Sequence, residues 1–416
     1  MTDVLAMTSL VDPDAVDRYP SPPTPPQRIR SDAEAIAAAH AVARLFAEGA
    51  SERDRARRLP WDAVEAFTAS GLGGITVPRA QGGADVSHAT LAEVFALLAA
   101  ADASAAQIQQ NHFGVLALVR AEARPAQAER IYSDVLAGHR IGNAGPARDG
   151  KAITQTGVRL KPGPDGPRLS GERFYATGAL FAHWIPARAQ DADGRPLLVW
   201  VRREAPGVRV VDDWQGFGQR TTASGTVIFT DAPVEAGLTL DLTGLADRPG
   251  LFGATSQLVH AAIDAGIGRG AVAAALDFVR TTTRAAPFTV ADATEDPYIL
   301  GEIGRLEIDL HAAEEVLARA GRTLDRVAAA AVTAASAAEA SVAVAEAKIL
   351  TTELALEASE RLLELAGTSA TRAAPNLGRF WRDARVHTLH DPVRWKYHLV
   401  GNYTLNGALP PRHQWN

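Results

Sequence analysis

Apolar residues recur at helical spacing over residues 31–52, 62–69, 87–101 and about 104–138. Ser31-Asp32-Ala33-Glu34 has the form of a capping box at the start of the first run. Gly71-Leu72-Gly73-Gly74 and Gln81-Gly82-Gly83 read as loops between helices. The period changes near Gly142. Residues 151–235 carry short alternating segments split by turns such as Pro164-Asp165-Gly166-Pro167, and residues 197–201, 208–211 and 225–229 read as strands. After about Gly250 the helical period returns. Residues 256–284 form one helix, and no proline interrupts the chain between Pro297 and Pro375. Ser336-Ala337-Ala338-Glu339 offers a second capping box, which splits that stretch into two long helices near Ala335.

This order predicts a mainly α protein with a small β domain. The expected divisions are a proline-rich extended or disordered arm over 1–30 and an N-terminal helical domain over 31–140. A β barrel or sandwich over 141–245 and a C-terminal helical bundle over 246–416 complete it.

With 416 residues, 47% hydrophobic and 22% charged, the chain can build several cores of an ordinary globular kind. A net charge of −6 with scattered Lys and Arg gives no nucleic-acid footprint. The absence of cysteine excludes disulfides and thiolate chemistry. Charges break the Ala-rich runs before membrane-spanning length, and Met1-Thr2-Asp3-Val4 does not open like a signal peptide, so a cytoplasmic enzyme is expected. The tail changes the picture most. Trp381, Trp395 and Trp415, together with His387, His390, His398 and His413, crowd the end of the chain. His387 and His390 share a helix face, and imidazole titrates near neutrality, so the tail reads as part of an active site. The histidines show no metal-ligand spacing, and no metal is expected.

Several strings then carry a resemblance. They are Leu59-Pro60-Trp61, Val77 to Gly83, Gln110-Asn111-His112-Phe113, Gly171 to Ala179, Gly216 to Gly225, and His387-Thr388-Leu389-His390-Asp391-Pro392. Over roughly residues 31–400 the chain resembles the acyl-CoA dehydrogenase fold. It is most similar to its flavin-dependent monooxygenase branch, the sulfur-acquisition oxidoreductases and dibenzothiophene monooxygenases. Two departures matter. The position of the dehydrogenases' catalytic Glu falls near Ala374, and residues 251–263 contain no carboxylate either, so a base for acyl-CoA dehydrogenation is missing. The Gln-x-x-Gly-Gly-x-Gly string that admits FAD is here Glu364-Leu365-Ala366-Gly367-Thr368-Ser369-Ala370, which crowds the backbone approach and disfavours FAD against FMN.

The resemblance implies a monooxygenase that uses FMN as FMNH2 and O2 to oxygenate a small organosulfur substrate through a flavin C4a-(hydro)peroxide. No Gly-x-Gly-x-x-Gly string is present, so a separate NAD(P)H-dependent flavin reductase is the expected partner. It further implies His112, His387, His390 and Asn143 as catalytic candidates, with His390 donating a proton or a hydrogen bond and His387 orienting it. Asn143, Tyr175, Thr177 and His390 would line the flavin, and Arg280 or Arg372 would clamp the phosphate. The fold family and the Ala-rich helices point to a homotetramer. An acyl-CoA dehydrogenase and a non-catalytic helical scaffold are the alternatives.

Overall fold

The computed structural model describes residues 18–146, 157–235, 237–413 and 415–416. Six helices come first: α1 (Asp32–Ala47), α2 (Ala50–Ala56), α3 (Trp61–Ala69), α4 (His88–Ala101), α5 (Ala103–Glu122) and α6 (Pro125–Leu136). Ser31 caps α1 by accepting from the Glu34 N–H. Two expected continuous helices are broken. Gly49, at φ 73°, separates α1 from α2, and Pro125 begins α6 two residues after α5 is capped.

Seven strands follow: β1 (Arg159–Lys161), β2 (Arg168–Arg173), β3 (Trp184–Gln190), β4 (Pro196–Arg202), β5 (Val208–Val211), β6 (Thr226–Pro233) and β7 (Thr239–Asp241). They form one mixed sheet in the order β5-β6-β2-β1-β3-β4-β7, antiparallel except where β1 meets β3. Residues 141–144 also run parallel to β3, through the bridges Ile141↔Trp184 and Ala144↔Ala187. That pairing fixes Asn143 at the seam between helices and sheet.

The last part is helical: α7 (Phe252–Thr281), α8 (Pro297–Ala328), α9 (Ala334–Ala366), α10 (Gly378–Thr388) and α11 (Arg394–Asn406). The break between α8 and α9 lies at 329–333, where Thr333 rather than Ser336 supplies the cap. Buried nearly all round, α7 is the axle, packed on α4, α5, α8 and α9. Its glycines permit this. A Cβ on Gly266 would stand 2.5 Å from the Ala96 carbonyl oxygen, so α4 and α7 touch backbone to backbone. One core cluster joins α1, α4, α7 and α9, and another fills the sheet's interior around Phe181, Ile185 and Val199.

The described part of the N-terminal arm is extended and docked. The Gln27 N–H donates to the Ala69 carbonyl, His183 Nε2 donates to the Ser21 carbonyl, and the Arg18 guanidinium lies over the Trp61 ring. Residues 1–17 of the expected arm lie outside the described residues. Among the described residues no helix is long and apolar enough to cross a membrane, and no cluster of His, Cys, Asp or Glu could hold a metal ion.

Candidate active site

A cavity of about 660 Å³ opens where α5, the sheet, the first turns of α7 and the end of α10 meet. Asn143, Tyr175, Thr177, His260, His387 and His390 all line it. None of its described lining residues is Asp or Glu. One wall is apolar, formed by Val115, Leu118, Leu198, Phe252 and Trp415.

Three imidazoles make one end of it. His387 sits on α10 and donates from Nδ1 to Asp264 Oδ1 at 2.5 Å. Asp264, on α7, is fully buried and accepts at Oδ2 from Lys348 Nζ (2.5 Å) and Thr352 Oγ1 (2.8 Å), both on α9. Burial alone would raise the Asp264 pKa, but Lys348 and His387 outweigh it and hold the carboxyl well below the usual range. His260 lies one helical turn before Asp264, with its Nδ1 3.2 Å from His387 Nε2. Its ring also stacks on His390 at 4.2 Å between centroids. His390 Nδ1 donates to the His387 carbonyl at 3.2 Å. His390 is exposed at the cavity, yet the protein packed around it, then Lys348 and His387, lower its pKa to about 4, and burial lowers His387 and His260. All three rings are therefore neutral near pH 7, and an ion pair stands behind them.

The opposite wall is a row of hydroxyls. Thr177 Oγ1 and Ser224 Oγ are 2.7 Å apart, and Ser224 Oγ is 2.8 Å from Thr222 Oγ1. The loop carrying Thr222 and Ser224 is pinned to α10: the Gln219 N–H donates to Asp383 Oδ1 at 2.6 Å, and a Cβ on Gly218 would strike the Arg382 carbonyl oxygen at 1.9 Å. Burial and nearby Asp54 push the Asp383 carboxyl up to about 7. Tyr175 holds φ 51° and is 49% exposed at the rim, with its ring edge-on to Phe174 and Trp214. A bulky residue with positive φ is a backbone outlier of the sort that clusters at working sites. Several buried amide atoms of the lining have no partner in the protein: Gln107 Oε1, Gln219 Nε2, and both Oε1 and Nε2 of Gln257. Buried polar atoms are ordinarily paired, so this set is shaped to meet a polar ligand.

Three expected site residues are not brought here. His112 does not line the cavity. Its Nε2 donates to the Gly73 carbonyl (2.8 Å) and its Nδ1 accepts from the Ile141 N–H (3.2 Å), so neither nitrogen is left for chemistry. Burial lowers its pKa to about 4. Arg280 is exposed near the end of α7, roughly 30 Å along the helix from His260 at 1.5 Å per residue. Arg372 is exposed just before α10. Neither lines the cavity; its guanidinium is Arg188 of β3. Ala374 is exposed and brings no carboxylate.

Sequence reasoning also missed His260, Asp264 and Lys348. A signal was available, since only four lysines occur in the chain, yet Lys348 and Lys396 are both buried beside this cluster.

Residues 29–139 match the acyl-CoA dehydrogenase N-terminal domain and residues 258–395 the acyl-CoA dehydrogenase C-terminal domain. Dibenzothiophene monooxygenase of Rhodococcus erythropolis is 30% identical over 399 residues, which span 92% of this chain and 96% of that one. The chain belongs to the dibenzothiophene monooxygenase family. It is an acyl-CoA dehydrogenase-fold flavin monooxygenase. The probable FMNH2-dependent monooxygenase SfnC of Pseudomonas putida is 32% identical over 387 residues, 90% of this chain and 96% of that one. The FMN-bound structure of TdsC from Paenibacillus sp. A11-2 superimposes with a TM-score of 0.86 at 31% identity, covering 92% of this chain and all of that one.

Proposed function

We propose that the protein uses reduced FMN and O2 to oxygenate a small, largely apolar organosulfur compound, with FMNH2 delivered by a separate NAD(P)H-dependent reductase. The observation that carries this reading is a cavity lined by three imidazoles, of which His260 and His387 are buried and His390 is exposed, and by no carboxylate among the described residues. Dehydrogenation of an acyl-CoA needs a base, and the carboxylates near the cluster are engaged, Asp264 by Lys348, Thr352 and His387 and Asp391 by Lys396.

The residues present fit a flavin. The unpartnered amides of Gln107, Gln219 and Gln257 suit a ring edge rich in alternating donors and acceptors, and the Thr177–Ser224–Thr222 hydroxyls and Asn143 add adaptable partners. Bound reduced FMN supplies the two electrons that activate O2, so that one oxygen atom goes to sulfur and the other leaves as water. The chain's own part is placement, dryness and protons. Phe252, Leu118, Leu198 and Trp415 exclude water from the substrate side. His390, held at Nδ1 by the His387 carbonyl, presents Nε2 as an acceptor. It holds or takes up a proton there, and gives one back only after accepting it. His387 holds His390 in place. Arg280 and Arg372 would reach a phosphate in this cavity only from a second copy of the chain, in keeping with the proposed homotetramer.

The test mixes purified protein, FMN, NAD(P)H, a flavin reductase, isotopically labelled O2 and dibenzothiophene. Labelled sulfoxide or sulfone is the expected product. Bleaching of oxidised flavin by an acyl-CoA, with no labelled product, would overturn the reading.

A further inference from the structure

We infer that Lys348 and Asp264 are positioning residues that set, through His387, which ring nitrogen of His260 carries the proton, so that His260 shows the cavity a bare Nε2. The Lys348 ammonium and the Thr352 hydroxyl both donate to Asp264 Oδ2. Asp264 Oδ1 therefore remains for His387, and an ionised carboxylate only accepts, so His387 carries its proton on Nδ1. The His387 Nε2 is then a lone pair. It faces His260 Nδ1 at 3.2 Å, so His260 must donate from Nδ1. What is left on His260 is an unprotonated Nε2 on a ring that lines the cavity and stacks on His390. Three elements thus fix one nitrogen: α9 supplies the cation, α7 the carboxylate and the final imidazole, and α10 the link between them.

The arrangement differs from a carboxylate–imidazole pair poised to become charged. Here Lys348 already balances Asp264, so His387 has no net negative partner and stays neutral. The other charged groups facing the cluster are Lys396 and Asp391, which pair with each other at 3.3 Å. The cluster therefore steers hydrogen bonds and stores no net charge. In the proposed monooxygenase, on which this inference rests for its purpose, two acceptor nitrogens, from His260 and His390, stand side by side at the cavity wall. They would hold a donor such as a ring N–H of reduced flavin, or take the proton that the substrate side releases.

The substitution Asp264→Asn reverses the logic. Lys348 and Thr352 still demand an acceptor, so the amide oxygen must face them and the amide NH2 must face His387. His387 then carries its proton on Nε2, and His260 accepts at Nδ1 and exposes an N–H to the cavity. Removing the cation as well, in Asp264→Asn with Lys348→Met, lets the amide turn over and present its oxygen to His387 again. Nitrogen NMR of histidine-labelled protein, without flavin, reads the tautomers directly. The expected result is Nδ1–H for His260 in the wild type, Nε2–H in the single variant, and Nδ1–H again in the double variant. In the same series the ratio of oxygenated product to hydrogen peroxide should fall on the order of 10²-fold and then recover, as misset imidazole tautomers cost in other enzymes. Wild-type His260 with its proton on Nε2 overturns the inference, whether or not either variant folds. So does a tautomer set that Asp264→Asn leaves unchanged, or a product ratio indifferent to a tautomer that does switch. Wild-type protein that makes no product from FMNH2 and a sulfur compound counts against the proposed function alone, because the NMR result stands without it.

Discussion

Two imidazole neighbourhoods do opposite things: His112, His260 and His387 are buried, whereas His390 is exposed at the cavity. His112 is tied at both nitrogens to backbone groups, the Gly73 carbonyl and the Ile141 N–H. It joins α5, the loop after α3 and the first residues of the sheet, and no other titratable side chain is among its hydrogen-bond partners. His260, His387 and His390 are tied mainly to one another and, through His387, to the Asp264–Lys348 pair. Burial lowers the pKa in both places, so a depressed pKa does not separate structure from chemistry. The partners separate them. Both nitrogens of His112 are engaged, whereas His260 and His390 each have one nitrogen engaged and an acceptor left on a ring that lines the cavity.

The contrast is tested most strongly by truncating one ring from each set. His390→Ala should keep the fold yet lose oxygenation by about 10²–10⁴-fold while releasing hydrogen peroxide, because an imidazole in this role contributes that much. Product and peroxide measured together read the effect. His112→Ala should do the reverse. It strands the half-buried Gly73 carbonyl and the buried Ile141 N–H, and at ~1–3 kcal/mol for a fully buried group this predicts a lower melting temperature. The protein that still folds should couple oxygen to product as the wild type does.

Acid sharpens the same distinction more gently. His112 has a folded-state pKa of about 4 against an ordinary value of 6.5, so between those values the unfolded chain binds the extra proton. The stability that neutral His112 provides is complete above pH 6.5 and is lost as pH falls toward 4, on the order of 3 kcal/mol in all. Chemical denaturation across that window should show a slope that is shallower in His112→Ala.

The sequence carried these two neighbourhoods unequally, for physical reasons. β5 was legible from alternation and β4 from an unbroken apolar run, but β3, equally buried, was not, because Pro186, Ala187 and Ala189 stand where strand-forming residues would. The tail pair His387 and His390 stood out by local density. His260 and Asp264 were hidden in a helix that is apolar nearly all round, and Lys348 lies 84 residues beyond Asp264. Only tertiary packing brings them together. His112 drew attention through its motif, and nothing in a single sequence shows that both its nitrogens end on backbone. The docking of the described part of the arm was not legible, because it depends on Gly71 and Gly138, whose missing side chains make room for the carbonyls of Gln27 and Thr24.

That docking gives the smallest expected effect. Deleting residues 1–28 removes the Gln27–Ala69 and His183–Ser21 hydrogen bonds and should cost ~1–2 kcal/mol of stability. The product-to-peroxide ratio should not change, since no described residue of the arm lines the cavity.

The most direct test places wild type, His390→Ala and His112→Ala side by side, each given FMNH2, O2 and dibenzothiophene, with sulfoxide or sulfone and hydrogen peroxide counted in the same reaction. The account predicts that His390→Ala diverts oxygen to peroxide while His112→Ala, per folded molecule, matches the wild type. Equal coupling in all three, or loss of coupling in His112→Ala alone, would contradict it.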